Sequence, residues 1–418
     1  MNQERSRHGG LLSTILLGIA AVLLVVCIIY APSQAFEASS QGLALWWRIV
    51  FPALLPFLVL SQILVATGFA HGFGTLLEPV TRRILGLPGT LGWVLPLGMT
   101  AGFPAAAEAA AALYKQGKIT AHEAEKLASF SHYCSPVLIV IVIGTAFMRQ
   151  PELGLILLWI HWAAGLAAAA TMQWVFFGNK RKPQEPAPAS GRTGSPPAAS
   201  RWKLALSQME EARREDGRNF GKLLGDAVGS AVQTLMSTGG YMLIFAVIIH
   251  IASSLLAPVI SPALTAVPVS ALLEVHLGAH AAAKLSLAPP LSAALIGALL
   301  GWSGLSAYWQ ARAALKPTGI RGTAFLMNRM IHGMYAYVLT LLLWKPLTTL
   351  VPLSSPAYQS FNGAAAWVAS GELPVSGWKV FSSVISWQLC MLGLLIMLGL
   401  FAVYLWSKHF KTKSAGPT

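Results

Sequence analysis

The sequence predicts an all-α polytopic membrane protein built from two inverted repeats, each with a re-entrant helical hairpin. Three observations carry that prediction. The 418 residues are 55% hydrophobic and only 11% charged, with a mean hydropathy of +0.61, whereas a soluble domain carries roughly 25% charged residues. Several apolar runs reach the ~20 residues that a bilayer requires. Two such runs are cut near the middle, at Gly102-Phe103-Pro104 and at Gly301-Trp302-Ser303-Gly304, in halves that repeat one order of elements. Paired interruptions of this kind mark the binding region of a secondary transporter.

The first element is "LLSTILLGIAAVLLVVCIIY", preceded by the basic "MNQERSRHGG". The run exceeds the ~7–15 residues of a signal-peptide core, so it reads as a retained anchor, and residues 1–44 form an anchor and loop. A first repeat spans 45–177. It opens with "LWWRIVFPALLPFLVLSQILVATGFA", whose Trp46, Trp47 and Arg48 suit the membrane interface. The mixed "GTLLEPVTRRILGLPG" is interfacial, the broken stretch follows, then the amphipathic "TAHEAEKLASFSHY" and two further spans, Pro136 to Phe147 and Leu153 to Phe177.

Residues 178–222 form a basic cytoplasmic linker. Its part "NKRKPQEPAPASGRTGSPPAASR" has a disordered composition, and "WKLALSQMEEARREDGRNF" reads as a helix. The second repeat, 223–407, runs from the span Thr234–Leu256 through "ALLEVHLGAHAAAKL", the broken Leu287–Lys316 and a polar-headed span to a last span, Phe381–Trp406. Residues 408–418 are a basic tail. Aligning Gly102-Phe103-Pro104 with Gly301-Trp302-Ser303, and His132 with His332, gives an offset near 200 residues. Positive loops place the N-terminus and linker inside. Counting spans then places the C-terminus outside, against the basic charge of its tail.

The net charge of +14 sits in the linker and at the two ends, a cytoplasmic-loop pattern. No groove-reading or stacking motif accompanies it, so nucleic acid is not the expected partner. Cys27, Cys134 and Cys390 form no CxxC or Cys/His cluster. No GxSxG, HExxH or P-loop is present, so the chain reads as a non-enzyme without cofactor or metal. Glu274, His276 and His280 lack a convincing third ligand and read as the solvated face of an amphipathic helix.

The residues "AGFPAAAEAAAALYKQGKITAHEAEKLASFSHYCSP", "ALLEVHLGAHAAAKLSLAPPLSAALIGALLGWSGLSAYWQ" and "NRMIHG" carry a resemblance to the nucleoside-recognition, or Gate-domain, membrane proteins, in particular their sporulation branch. It covers about Leu45 to Trp344 apart from the linker. The resemblance implies a layout similar to concentrative nucleoside transporters. It also implies export of dipicolinate, a small aromatic dicarboxylate, from the mother cell toward the forespore by alternating access. The location implied is the mother-cell-derived outer forespore membrane. Alternatives within and outside the family are a carrier for a nucleoside or other small solute and a non-transporting sporulation scaffold. A coupling ion, proton or sodium, goes with the carrier readings, and a homo-oligomer is a further expected partner.

For such a solute the broken stretches supply the chemistry. Helix N-termini at the breaks offer free N–H groups to carboxylates. Gly102, Gly301 and Gly304 allow tight tips, and Pro104 suits a first helical turn. Phe103 and Trp302 can stack on a heteroaromatic ring, and Ser303, Ser306 and Gln310 add donors. Ser131, His132, Ser135, Asn328, Arg329 and His332 head the polar-started spans, with Arg329 able to grip a carboxylate bidentately. Glu108 is an ionisable residue inside an apolar run and a candidate for proton coupling. The family commonly has Gly and Lys where this chain has Ala106 and Glu108, and a carboxylate there repels an anion unless protonated or paired.

Overall fold

The computed structural model describes residues 2–86, 91–103, 105–177, 198–258, 262–320 and 322–351. Pro104, the linker segment 178–197, the expected last span 381–406 and the basic tail lie outside the described residues. Among the described residues the fold is entirely helical, with no strand. Four helical stretches are long and apolar enough to cross a membrane: Pro32–Ala66, Pro151–Val175, Phe220–Leu256 and Pro289–Ala314.

Helix α1 (Asn2–Tyr30) leads into α2 (Pro32–Leu45), which starts on Pro32, where a missing N–H costs nothing. The loop expected before Leu45 is thus helix. It continues through a π-helical turn at Trp46–Val50 into α3 (Phe51–Ala66). Trp46 turns inward and donates its Nε1–H to the Leu235 carbonyl at 3.0 Å, on α10 (Phe220–Leu256). Small residues make that approach possible: Gly239 lies under the Trp46 ring and Gly42 against Ala246. At 1.5 Å per residue α10 is about 55 Å long, well beyond the ~30 Å apolar core of a bilayer. Part of α10 therefore stands outside that core, and Lys222 and Asp226 make its first turns the charged end.

Gly68, at φ 77°, ends α3 and starts α4 (Phe69–Ile84), the expected interfacial helix. It is covered by α9 (Ala198–Asp216), the helix expected in the linker, with Gly68 and Gly72 both in contact with Met209. The corner from α9 into α10 is held by ion pairs of Arg218 with Asp216 at 2.6 Å and Asp226 at 3.1 Å.

The rest of the first half is short pieces. Helices α5 (Val94–Ala101) and α6 (Ala105–Lys115) meet at Gly102, and the chain doubles back there, since Gly98 sits against the Ala106 methyl. Next come α7 (Ala121–Phe130), started by a capping box of Thr120 and Glu123, and the extended break 131–135. A π-helix, Leu138–Phe147, and α8 (Pro151–Met172) follow.

The second half repeats this order. Helix α11 (Pro262–Leu273) doubles back at Glu274 into α12 (Val275–Ala283), with Gly278 packed on Ala271. Helix α13 (Pro289–Trp302) breaks at Ser303 and resumes as α14 (Gly304–Ala314), and α15 (Thr323–Leu350) closes the described half. The interval from Gly102 to Ser131 equals that from Glu274 to Ser303, and the interval from Ser131 to the start of α8 equals that from Ser303 to the start of α15. The element order therefore pairs the Gly102 tip with Glu274, and not with Gly301 as the 200-residue offset implied. The sequence alignment matched two glycines, but one sits at a chain reversal and the other in an ordinary helical turn.

Gly301 lies inside α13, where a side chain would meet the Gly333 backbone of α15 at 2.7 Å. Replacing Gly301 by Ala is expected to force α13 and α15 apart and to cost about 1–3 kcal/mol, read as a lower unfolding temperature of the protein in detergent.

Candidate functional site

The four interruptions converge. His132, in the break after α7, places Nε2 at 3.2 Å from the Ser303 hydroxyl in the break of α13. Cys134 of the same break donates its N–H to His161 Nε2 of α8 at 3.0 Å. Gly98 of α5 lies directly on the Ser131 carbonyl, and Gly304 lies under the Leu273–Val275 reversal. Glycine at these two points is a matter of space, because backbone meets backbone.

Breaking α7 strands the carbonyls of its last turn, which carry about half a negative charge. Arg329 of α15 answers them. Its Nη1 donates to the His132 carbonyl at 2.5 Å and its Nη2 to the Ser129 carbonyl at 2.9 Å, while Asn328 Nδ2 donates to Ser129 at 2.8 Å. Arg329 is 1% exposed and is compensated by a helix end, with no carboxylate. The same nitrogen reaches His332 Nδ1 at 3.0 Å, and His332 Nε2 reaches the His161 carbonyl at 2.9 Å. An arginine N–H only donates and a carbonyl only accepts, so His332 is neutral with its proton on Nε2. By the same logic His161 accepts from the Cys134 N–H and is neutral with its proton on Nδ1. The rings of His161 and His332 lie 4.5 Å apart, which two imidazolium ions would oppose.

In front of this network lies a cavity of about 70 Å³. Both chain reversals line it, through Gly102 and Phe103 on one side and Glu274, Val275 and His276 on the other. Ser135, Ser306 and Gln310 add polar groups, and Thr234, Thr238 and Tyr241 of α10 close the far wall. Ser306 is buried and makes no hydrogen bond to another described residue. Gly102 has φ 84° and ψ −177°, a conformation essentially restricted to glycine.

Of the residues expected in the site, Gly102, Phe103, Ser135, Ser306 and Gln310 line the cavity. Phe103 also stacks on His132, with centroids 4.7 Å apart. Ser131, His132, Ser303, Asn328, Arg329 and His332 form the buried support behind it. Trp302 donates to the Leu272 carbonyl at 3.1 Å and fastens α13 to α11. Gly301 and Gly304 serve packing, and Glu108 is exposed on α6, outside the cavity lining.

The solvated face expected for Glu274 and His276 is a correction. They are 2% and 5% exposed, because α11 folds back over α12 and α13 and α14 cover the rest. Glu274 Oε1 lies 2.7 Å from His276 Nδ1, and Oε2 accepts the Leu277 N–H at 2.7 Å, capping α12. His280 alone stays half-buried, against Phe147. The signal that could have found the pair was the interval between interruptions. Among the described residues no group of three His, Cys, Asp or Glu is placed to hold a metal.

Residues 47–148 match the family described as Gate, nucleoside recognition. The chain is 35% identical over 358 residues to the sporulation integral membrane protein YlbJ of Bacillus subtilis (strain 168), covering 81% of this chain and 84% of that protein. No solved structure matches the chain. With its spanning helices, its broken helices and this extent of identity, the chain belongs to the family of sporulation integral membrane proteins that carry the Gate domain.

Proposed function

We propose that the chain is an alternating-access carrier of two inverted repeats, each supplying one re-entrant hairpin (α5–α6 and α11–α12) and one broken helix. It moves a small aromatic dicarboxylate of the dipicolinate type from the mother cell toward the forespore. The observation that carries this reading is that both chain reversals and residues beside both helix breaks line one cavity. The halves of each reversal are too short to cross: α5 has 8 residues and α11 has 12, about 12 and 18 Å. Backbone of this irregular kind is tolerated at membrane depth where protein buries it or water lines it.

The N-termini of α6 and α14 begin at this cavity, a polarity that favours carboxylates, while that of α12 is capped by Glu274. An aromatic diacid enters this cavity when the tips part. The test is flux of dipicolinate into liposomes containing the purified protein, beside a nucleoside, with Ser306→Ala and Gln310→Met variants. Dipicolinate flux that falls at least tenfold in the variants supports the reading. Nucleoside flux in its place identifies a carrier of another solute. No flux of either under proton or sodium gradients leaves the scaffold role.

A further inference from the structure

The charge of the cavity is set by one pair of side chains. Among its lining residues the ionisable groups are Glu274, His276 and Tyr241, and no lysine or arginine is among them. The elements around α12 add none close by. The π-helix, α3, α11 and α13 carry no charged side chain. Helix α10 presents Tyr241, and Arg312 of α14 is turned to the Ile320 carbonyl. The other ionisable groups at α12 are His280 and Lys284, further along the helix. Arg329 is committed to the end of α7 and does not line the cavity.

Glu274 uses both oxygens, one on His276 Nδ1 and one on the Leu277 N–H, and so places its own carboxylate on the N-terminus of α12. His276 Nε2 makes no hydrogen bond to another described residue. The pair therefore has one open position for a proton, on a group beside the cavity.

Resting on the carrier reading above, we propose that the Glu274–His276 pair is the proton site that gates anion entry. With His276 neutral the pair carries one negative charge and repels a carboxylate. One proton from solution, bound at His276 Nε2, makes the pair neutral, and the helix N-termini then favour the anion. Each anion loaded takes up one proton, which leaves with it when the cavity opens on the other side. A like charge at about 5 Å with an effective dielectric near 20 weakens binding by roughly a few hundredfold.

The two members of the pair give opposite results when changed. Glu274→Gln keeps an oxygen to accept from Leu277 N–H and removes the charge without a proton. The buried His276, without a carboxylate beside its ring, then has no counter-charge for an imidazolium and stays neutral. The variant is therefore expected to carry dipicolinate at every pH and to lose the dependence on pH. His276→Gln leaves the carboxylate uncompensated and is expected to lower flux at neutral pH by tenfold or more. A purely structural pair would give two variants that simply lose flux.

The experiment is dipicolinate uptake by liposomes holding the full chain at several values between about pH 5.5 and 8.5, with a pH dye inside the vesicles. Titration of the solute itself is common to all proteins and cancels in the comparison, and a monodisperse elution profile confirms each variant is folded. The expected result is one proton per anion for the wild-type protein and none for Glu274→Gln. Wild-type flux with an unchanged pH profile or proton count in Glu274→Gln overturns the proton site and leaves the carrier standing. Loss of flux in both folded variants also overturns it. Absence of wild-type flux overturns both readings together.

Discussion

Arg329→Met is expected to cost about 2–4 kcal/mol of stability, because it leaves the buried His132 carbonyl without its donor and the Ser129 carbonyl with Asn328 alone. Methionine fills much of the space, so the loss reports the unmade hydrogen bonds more than a cavity. His332 loses the donor to its Nδ1 as well, which loosens the contact between α15 and α8. Arg329→Lys is expected to recover less than half, since an ammonium group cannot span two carbonyls as the guanidinium fork does. Thermal unfolding in detergent, followed by the amount of protein that still elutes as one species, measures both. Gln310→Met on the cavity wall is the contrast: it is expected to stay within about 0.5 kcal/mol of the wild-type stability while losing flux. A guanidinium that bound substrate would show the reverse order, with flux lost and stability kept in Arg329→Met.

Gly102→Ala is the second change with a large expected effect, and its sign follows from the backbone. At φ 84° and ψ −177° a side chain adds about 1–3 kcal/mol of strain. The new methyl would also press on the Ser135 backbone and side chain at 3.1 Å. The reversal between α5 and α6 can relieve this only by moving its tip out of the cavity. Dipicolinate flux is therefore expected to disappear while the protein remains folded at lower stability. Gly117→Ala supplies the comparison. Gly117 also has positive φ, 68°, but its Cβ would meet nothing within 4 Å, so this variant is expected to lose some stability and keep flux.

The membrane class, the later part of the first span (Leu45 to Ala66, though not its start at Pro32), the linker helix and both interruptions were legible in the sequence, because apolar length and a Gly-rich cut are local properties. Ser306 and Gln310 were legible as cavity donors for the same reason: they follow a break by a few residues on one helix. The pairing of the halves was not. Gly102 and Gly301 share a letter, but a reversal and a packed helical turn differ only in what lies across from them, and Gly333 is distant in sequence. Arg329 was expected to grip a carboxylate of the solute, and it holds backbone carbonyls behind the cavity. Those partners were not legible, since carbonyls freed by a break some 200 residues away leave no mark on the residues around it. Glu274 and His276 looked solvated because their own helix is short and mixed in polarity, and the covering came from α11, α13 and α14.

The Arg329 contact also has an order in time. The carbonyls of Ser129 and His132 enter the membrane with the first half, and the guanidinium that satisfies them is synthesised 200 residues after Ser129. At about 5–20 residues per second the interval is roughly 10–40 s. Throughout it α7 ends in unmatched acceptors, and for most of it the break 131–135 has no Ser303 to meet. The nascent first half must therefore hold that end in water, against lipid headgroups or within the insertion machinery until α15 arrives. Biogenesis of this protein is a wait for one side chain, and a chain truncated before Arg329 is expected to be cleared as an incompletely inserted protein.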